Sequence, residues 1–314
     1  MILVVNLNAS LDKIYTVNDI RRGEVVRAKS VQNTAGGKGT HVANITNIMQ
    51  EACMVTGFLG GKTGEFIADK LEEKGIANAS VRINGETRAC INIVTPDGKQ
   101  TEVLEPGPVV SEEEQKEFLN EYEKLLDDAD IVIASGSLPQ NVAKDFYRKL
   151  IESANTKRKK FLLDTSGAAL VEGIKAKPFF IKPNKDEIEF LTGYKVQSAD
   201  EAAVEVRKFM AEGIALPVIS MGTQGSVIGY NGKIYYAIPP VVENINAVGS
   251  GDAYVAGLAV ALQRKLDIVE TIRFASACGT ANVTEKESGF VRKEQVEALM
   301  EKVIIKKISS YSGY

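Results

Sequence analysis

The stretch Asn246-Ala247-Val248-Gly249-Ser250-Gly251-Asp252, running straight into AYVAGLAVAL at Ala253–Leu262, decides how this chain is read. Two glycines flank a serine, an acid follows, and an apolar segment long enough for a buried helix begins. Glycines let a backbone turn tightly and approach a ligand closely. N–H groups in the first turn of a helix lack intrahelical partners and sit at the positive end of its dipole, so they favour an anion such as phosphate. An acid there repels the same anion. Asp252 is therefore either an ordinary first-turn residue, where aspartate is favoured anyway, or a base held beside a phosphate. The choice rests on what else the chain gathers around it.

Short apolar runs at Ile2–Leu7, Met54–Leu59, Ile131–Ala134, Phe161–Leu163, Phe179–Ile181 and Pro217–Ile219 read as strands. Helical patterns lie between them at Gly39–Glu51, Gly64–Lys74, Glu112–Leu126, Ala143–Ala154 and Ala199–Ala211. This alternation is that of βα units around a mostly parallel sheet. No repeat or low-complexity linker divides the chain, so residues 1–314 are expected to form a single domain. Lys13–Asn18 and Glu24–Gln32 break the alternation as strand-like segments, and Thr87–Val94, Pro96-Asp97-Gly98 and Gln100–Leu104 give a hairpin signal. Together they predict a small separate sheet, either a lid or an edge extension.

The strand ends carry the stronger message. They are followed by Asn6, Asn8 and Asp12; by Gly60-Gly61; by Ser135-Gly136-Ser137; by Asp164-Thr165-Ser166; by Lys182-Pro183-Asn184; and by Ser220-Met221-Gly222. Ligands of open α/β sheets bind in the crevice beyond the carboxyl ends of the strands. Turn chemistry explains some of these residues, but their recurrence predicts a polar site along that edge.

Composition excludes several classes. The 314 residues are 44% hydrophobic and 25% charged, with a net charge of −3, as in ordinary globular proteins. No basic field invites nucleic acid or an acidic membrane, and no apolar run reaches the roughly 18 residues of a membrane span. The N-terminal MILVVNLN reads as a strand and not as a signal peptide. Three scattered cysteines with no CxxC pair fit a reducing cytoplasm and argue against a zinc site or a disulfide framework.

Four motifs have competing readings. Gly57-Phe58-Leu59-Gly60-Gly61-Lys62-Thr63 resembles a phosphate-binding P-loop, but Thr56 stands where that motif needs glycine, so it reads as a strand end and turn. Ala35-Gly36-Gly37-Lys38-Gly39 opens the first long helix as a ligand approach or a plain tight turn, and His41, the only histidine, follows it. Asn184 and Glu187 could orient a magnesium ion through water, or simply form a capping box. Ser220-Met221-Gly222-Thr223-Gln224-Gly225 could wall a nucleotide or only turn a hairpin.

In this order the pieces resemble the ribokinase-like sugar kinases, specifically the phosphofructokinase B branch. The likeness runs through Asn8-x-x-x-Asp12, AGGKG at 35–39, SGSLP at 135–139, DTSG at 164–167, IKPN at 181–184, SxGxxG at 220–225 and VGSGD at 248–252. It implies a three-layer α/β/α domain with a small β-sheet lid at about residues 12–33 and 87–105, often shared across a homodimer. It implies ATP and Mg²⁺, with nucleotide contacts at Asn184, Ser220, Gly222 and Gly225, and Glu187 reaching the metal through water. The sugar phosphate is expected near Asp12, Arg27, Gly36, Gly37, His41, Arg88 and Ser137. Gly249, Ser250, Gly251 and Lys182 would stabilise the transferred group, and Asp252 would be the base. GETRACINI at 85–93 and QTEVLEPGP at 100–108 look most like tagatose-6-phosphate kinases, with 1-phosphofructokinases sharing most features. Two residues depart from the pattern: His41 stands where the family usually has asparagine, and Ala247 where the tagatose branch usually has proline.

Overall fold

The structure, a computed structural model, describes residues 1–308; the closing SSYSGY, which the sequence reading leaves without a role, lies outside the described residues. Strand β1 (Ile2–Asn6) leads into β2 (Ser10–Thr16), and β3 (Ser30–Gly36) runs into helix α1 (Lys38–Ile48). Then come β4 (Cys53–Gly60), α2 (Gly61–Glu73), β5 (Ala77–Asn78), β6 (Val81–Ile83), and the hairpin β7 (Arg88–Val94) and β8 (Gln100–Leu104). Helices and strands alternate through α3 (Glu112–Asp128), β9 (Ile131–Ser135), α4 (Phe146–Thr156), β10 (Lys160–Asp164), α5 (Gly167–Lys175), β11 (Phe180–Ile181), α6 (Lys185–Thr192), α7 (Ala199–Ala211) and β12 (Leu216–Ser220). The described chain closes with β13 (Ser226–Tyr230), β14 (Lys233–Ile238), α8 (Ser250–Gln263), α9 (Ile268–Val283), α10 (Lys293–Met300) and β15 (Ile304–Ile308).

The main sheet has 11 strands in the order β15-β14-β13-β12-β11-β10-β9-β1-β4-β5, with β6 also on β4. Pairing is parallel from β4 across β1 to β12 and antiparallel from β12 to β15. Because side chains alternate along a strand, β1 feeds two cores. Ile2 and Val4 belong to the core layer that holds α1, α8 and α9, while Leu3 and Val5 belong to the core on the other face, which α3, α4 and α7 help to build. Burying each such side chain contributes about 1.5–3 kcal/mol. Helix α8 is buried from Asp252 to Ala261, which explains why its sequence is apolar on every side. Gly257 lets α9 approach closely, since a Cβ there would lie 2.7 Å from Cys278 Sγ.

A second sheet of 4 strands, in the order β3-β2-β7-β8, stands apart from the first. It is the small sheet expected from the sequence, with one correction. Glu24–Gln32 does not form a strand over that range; β3 occupies Ser30–Gly36 instead. Its pairing with β2 spans Ser10↔Gly36 to Thr16↔Ser30, so the ladder stops where β2 ends. Upstream, Val25 is 85% exposed and has no apolar surface to cover it, and Arg21 accepts a turn hydrogen bond from Glu24.

Candidate active site

The carboxyl ends of the main-sheet strands and the inner face of the small sheet enclose one cavity of about 860 Å³. Asp12, Gly37, His41, Arg88, Ser137 and Lys182 line it, as do Asn184, Ser220, Gly222, Gly225 and the whole run Gly249–Asp252. Arg27, Gly36 and Glu187 do not. Arg27 lies in the exposed stretch between β2 and β3. Gly36 shapes the wall instead: a Cβ there would fall 2.0 Å from the Asp12 carboxyl carbon.

The opening of α8 is built as the sequence suggested. Gly249 caps the helix with φ of 86°, a left-handed conformation that glycine adopts freely. A Cβ at Gly249 would also sit 2.7 Å from the Gly289 nitrogen, so this turn and the 285–289 loop close on each other. Among the described residues, no acceptor meets the N–H groups of Gly249, Gly251 or Asp252, and that of Ser250 makes only a 3.3 Å contact with the Ala247 carbonyl. These groups face the cavity at the positive end of the helix.

Asp252 is buried in the same turn, and its Oδ2 lies 2.9 Å from His41 Nδ1. The other ring nitrogen, Nε2, is 3.6 Å from Asp12 Oδ2, while Ser10 donates to Asp12 Oδ1 at 2.6 Å. Burial of the imidazole opposes its charge, but the two carboxylates outweigh burial and raise its pKa to about 9.

Behind the helix opening, buried Asp164 at the end of β10 holds two cations. Its Oδ1 is 3.1 Å from Lys182 Nζ, and its Oδ2 is 3.4 Å from Lys38 Nζ. Burial alone would raise the Asp164 pKa; Lys182 and then Lys38 outweigh it and hold the carboxyl below its usual range. Asp164 in turn pushes the partly exposed Lys38 ammonium well above its ordinary value. Lys182 Nζ reaches the α8 cradle, 3.3 Å from where a Cβ on Gly251 would stand. Sequence reasoning named Lys182 but assigned no role to Lys38 or Asp164. Their signals were present, in AGGKG and DTSG, but nothing local says that residues 126 apart meet.

On the small-sheet side, the Arg88 guanidinium is anchored by the carbonyls of Asn8 and Glu105, at 3.2 and 2.9 Å, and borders the cavity. Asn8 donates to Ser137 Oγ at 3.0 Å, which fixes that hydroxyl at the cavity wall. On the opposite side, Asn184 and Ser220 form a parallel bridge between the β11 and β12 ends, and Gly222 opens a short 3₁₀ turn at φ of 60°. Asn184 and Glu187 make the full capping box: Asn184 Oδ1 accepts from Glu187 N at 2.9 Å, and Glu187 Oε2 accepts from Asn184 N at 2.8 Å. One Glu187 oxygen is thereby committed to the helix. Among the described residues, no cluster of three or more His, Cys, Asp or Glu side chains is spaced to hold a metal ion.

An anion cradle, a buried acid within it, two lysines behind it and an arginine across from it suit transfer of a phosphoryl group. Comparison with known proteins points the same way. A protein of Staphylococcus aureus described as a candidate phosphofructokinase matches with a TM-score of 0.86 and 27% identity, over 98% of this chain and 99% of that one. Phosphofructokinase-2 of Escherichia coli shares the fold with a TM-score of 0.90 and 23% identity, covering 96% and 98% of the two chains. A candidate 1-phosphofructokinase of Thermotoga maritima does so with a TM-score of 0.89 and 23% identity, covering 98% and 99%. The family model described as pfkB family carbohydrate kinase matches residues 4–294, so the chain belongs to the pfkB family of carbohydrate kinases.

Proposed function

We propose that the protein transfers the γ-phosphoryl group of ATP to a ketohexose monophosphate, with tagatose 6-phosphate as acceptor and tagatose 1,6-bisphosphate as product. The observation that carries this reading is the placement of Asp252 inside an unpartnered helix-opening cradle, in one cavity with Lys182 and Arg88. An arginine fork suits the phosphate already on the acceptor. The sugar occupies the side of Asp12, Gly37, Arg88 and Ser137; ATP lies along Asn184, Ser220, Gly222 and Gly225.

Transfer passes through a loose transition state whose charge sits on the phosphoryl oxygens, so positioning and electrostatics dominate. The N–H groups of Gly249–Asp252 and the Lys182 ammonium supply that stabilisation. A carboxylate is too weak a base to ionise a sugar hydroxyl beforehand. Asp252 therefore takes the proton late, as the new O–P bond forms and the bond to ADP breaks. Because Mg²⁺ seldom takes an all-protein cage, it would be carried chiefly on the ATP phosphates, and Glu187, outside the cavity lining and with one oxygen in the capping box, would reach it only through water. Bound there, the ion would neutralise phosphate charge.

The small sheet acts as a lid and as the contact of a homodimer, a reading supported by the half-exposed apolar residues Val31 and Val103. Three buried free cysteines agree with work in a reducing cytoplasm. No helix of the described residues is long and apolar enough to cross a membrane. The alternative acceptor is fructose 1-phosphate, and the Staphylococcus aureus neighbour favours a fructose phosphate. Measuring ADP release with tagatose 6-phosphate, fructose 1-phosphate and fructose 6-phosphate ranks the acceptors. The highest kcat/KM is expected for tagatose 6-phosphate; no turnover with any of the three removes the kinase reading.

A further inference from the structure

His41 is wedged between two carboxylates that belong to different halves of the site. Nδ1 meets Asp252 from α8, and Nε2 meets Asp12 from β2. A neutral ring would turn a lone pair toward one of those oxygens; only the doubly protonated ring presents an N–H to both. The ring is also fixed from the side. A Cβ on Gly289 would lie 2.6 Å from His41 Cβ and Cγ, so the loop can close over the imidazole only with glycine there. Gly289 is itself tied down, donating to Asn282 Oδ1 at 2.9 Å and accepting from Asn44 Nδ2 at 2.7 Å. Asn282 also donates to the Val248 carbonyl at 2.9 Å, beside the α8 cradle.

We propose that His41 is a positioning residue: its imidazolium bridges Asp12 and Asp252, holds Oδ2 of the base, and leaves Oδ1 for the acceptor hydroxyl. The inference rests on Asp252 being the base. Among the described residues, no hydrogen bond reaches that Oδ1. The bridge also cancels charge: two carboxylates next to a cradle built for phosphate would repel the donor, and one cation between them reduces that repulsion. The other charged groups around the cavity are Lys38 on α1, Arg88 on β7, Glu102 on β8, Lys182 after β11 and Glu287 on the loop before Gly289. Among the described residues, only the two aspartates contact the ring nitrogens.

The sign of the pH dependence follows. The pKa of His41 is raised to about 9, so the bridge is intact at neutral pH and is lost as pH climbs through that value. The chain has only one histidine, so a single imidazole resonance reports it in tag-free protein without assignment. The NMR titration midpoint is expected near 9 in the unaltered protein and much closer to the ordinary imidazole value in Asp12→Asn. In parallel, kcat of the unaltered enzyme should fall about tenfold per pH unit above that midpoint. His41→Asn, which cannot ionise, should have a lower kcat at neutral pH, no such alkaline limb, and a KM for ATP changed by less than about threefold. A midpoint in the ordinary imidazole range, or the same alkaline limb in His41→Asn, overturns the proposal. The two readings separate cleanly. A raised midpoint without turnover on any sugar phosphate removes the kinase and supports the bridge, whereas an ordinary midpoint in an active kinase removes the bridge alone.

Discussion

Asp252, the proposed base, stands beside groups arranged to attract anions. The first turn of α8 supplies those groups, and His41 supplies the counter-charge at 2.9 Å. Replacing Asp252 by asparagine keeps the shape and removes the proposed proton acceptor. The expected result is a kcat lowered by about 10²–10⁴-fold, with ATP affinity by calorimetry nearly unchanged. Activity equal to the unaltered enzyme would rule out the base assignment. Asp252 was legible in the sequence because the chemistry of a helix opening is local: glycine, serine and aspartate over four positions. The His41 bridge was not. A lone histidine in a helix says nothing about Asp12 and Asp252, which lie 29 residues before it and 211 residues after it, until the sheet brings them together. Arg27 is a different case: it lies in an exposed stretch outside this chain's cavity, and a cation there looks the same in sequence whether or not it faces a site.

Among the elements, the ends of β10 and β11 do more than terminate strands. Asp164 and Lys182 form a buried ion pair that docks Lys38 at the start of α1 onto the sheet. The folded Asp164 pKa is depressed, so the cluster stabilises the fold above the unfolded carboxyl pKa of about 3.9 and is lost as pH falls through the folded value. Asp164→Asn leaves Lys182 buried without a charged partner and should cost about 3–5 kcal/mol near neutral pH. In urea denaturation, the gap between variant and parent should shrink as pH is lowered toward and below 4; a gap independent of pH would exclude the ion pair as its cause. The strands and most helices were readable because apolar periodicity is strong there. Glu24–Gln32 was misplaced because strand limits depend on the partner strand: β2 ends at Thr16, so its pairing begins only at Ser30. Asn184 and Glu187 show a further limit, since one spacing serves a cap and a cation equally well, and the structure displays the cap.

For the molecule as a whole, the small sheet has two unlike faces. Residues in register alternate, so Asp12, Thr34, Cys90 and Leu104 share the cavity face, while Lys13, Asn33, Ile91 and Val103 belong to the other row. Val31 and Val103, 52% and 55% exposed, suit burial against a second copy. The paired change Val31→Asp and Val103→Asp should convert dimer to monomer in sedimentation velocity, while a parent protein that is already monomeric would refute the dimer. The placement of α8 has a consequence for the time before the molecule is complete. Of the described strands, β1 precedes the others in the chain and ends up at the middle of the main sheet between β4 and β9, whereas the outer strands β13 to β15 and α8 follow the rest of the parallel sheet. Helix α8 covers Val42, Ala43 and Ile45 of α1 within one shared core. A nascent chain that has reached residue 245 therefore already carries Asp12, Arg88 and Lys182, yet has neither base nor cradle and shows a bare apolar flank. Synthesis therefore completes the groups proposed to hold the sugar before the one proposed to react. A stalled or truncated product would expose that flank and lack the proposed base.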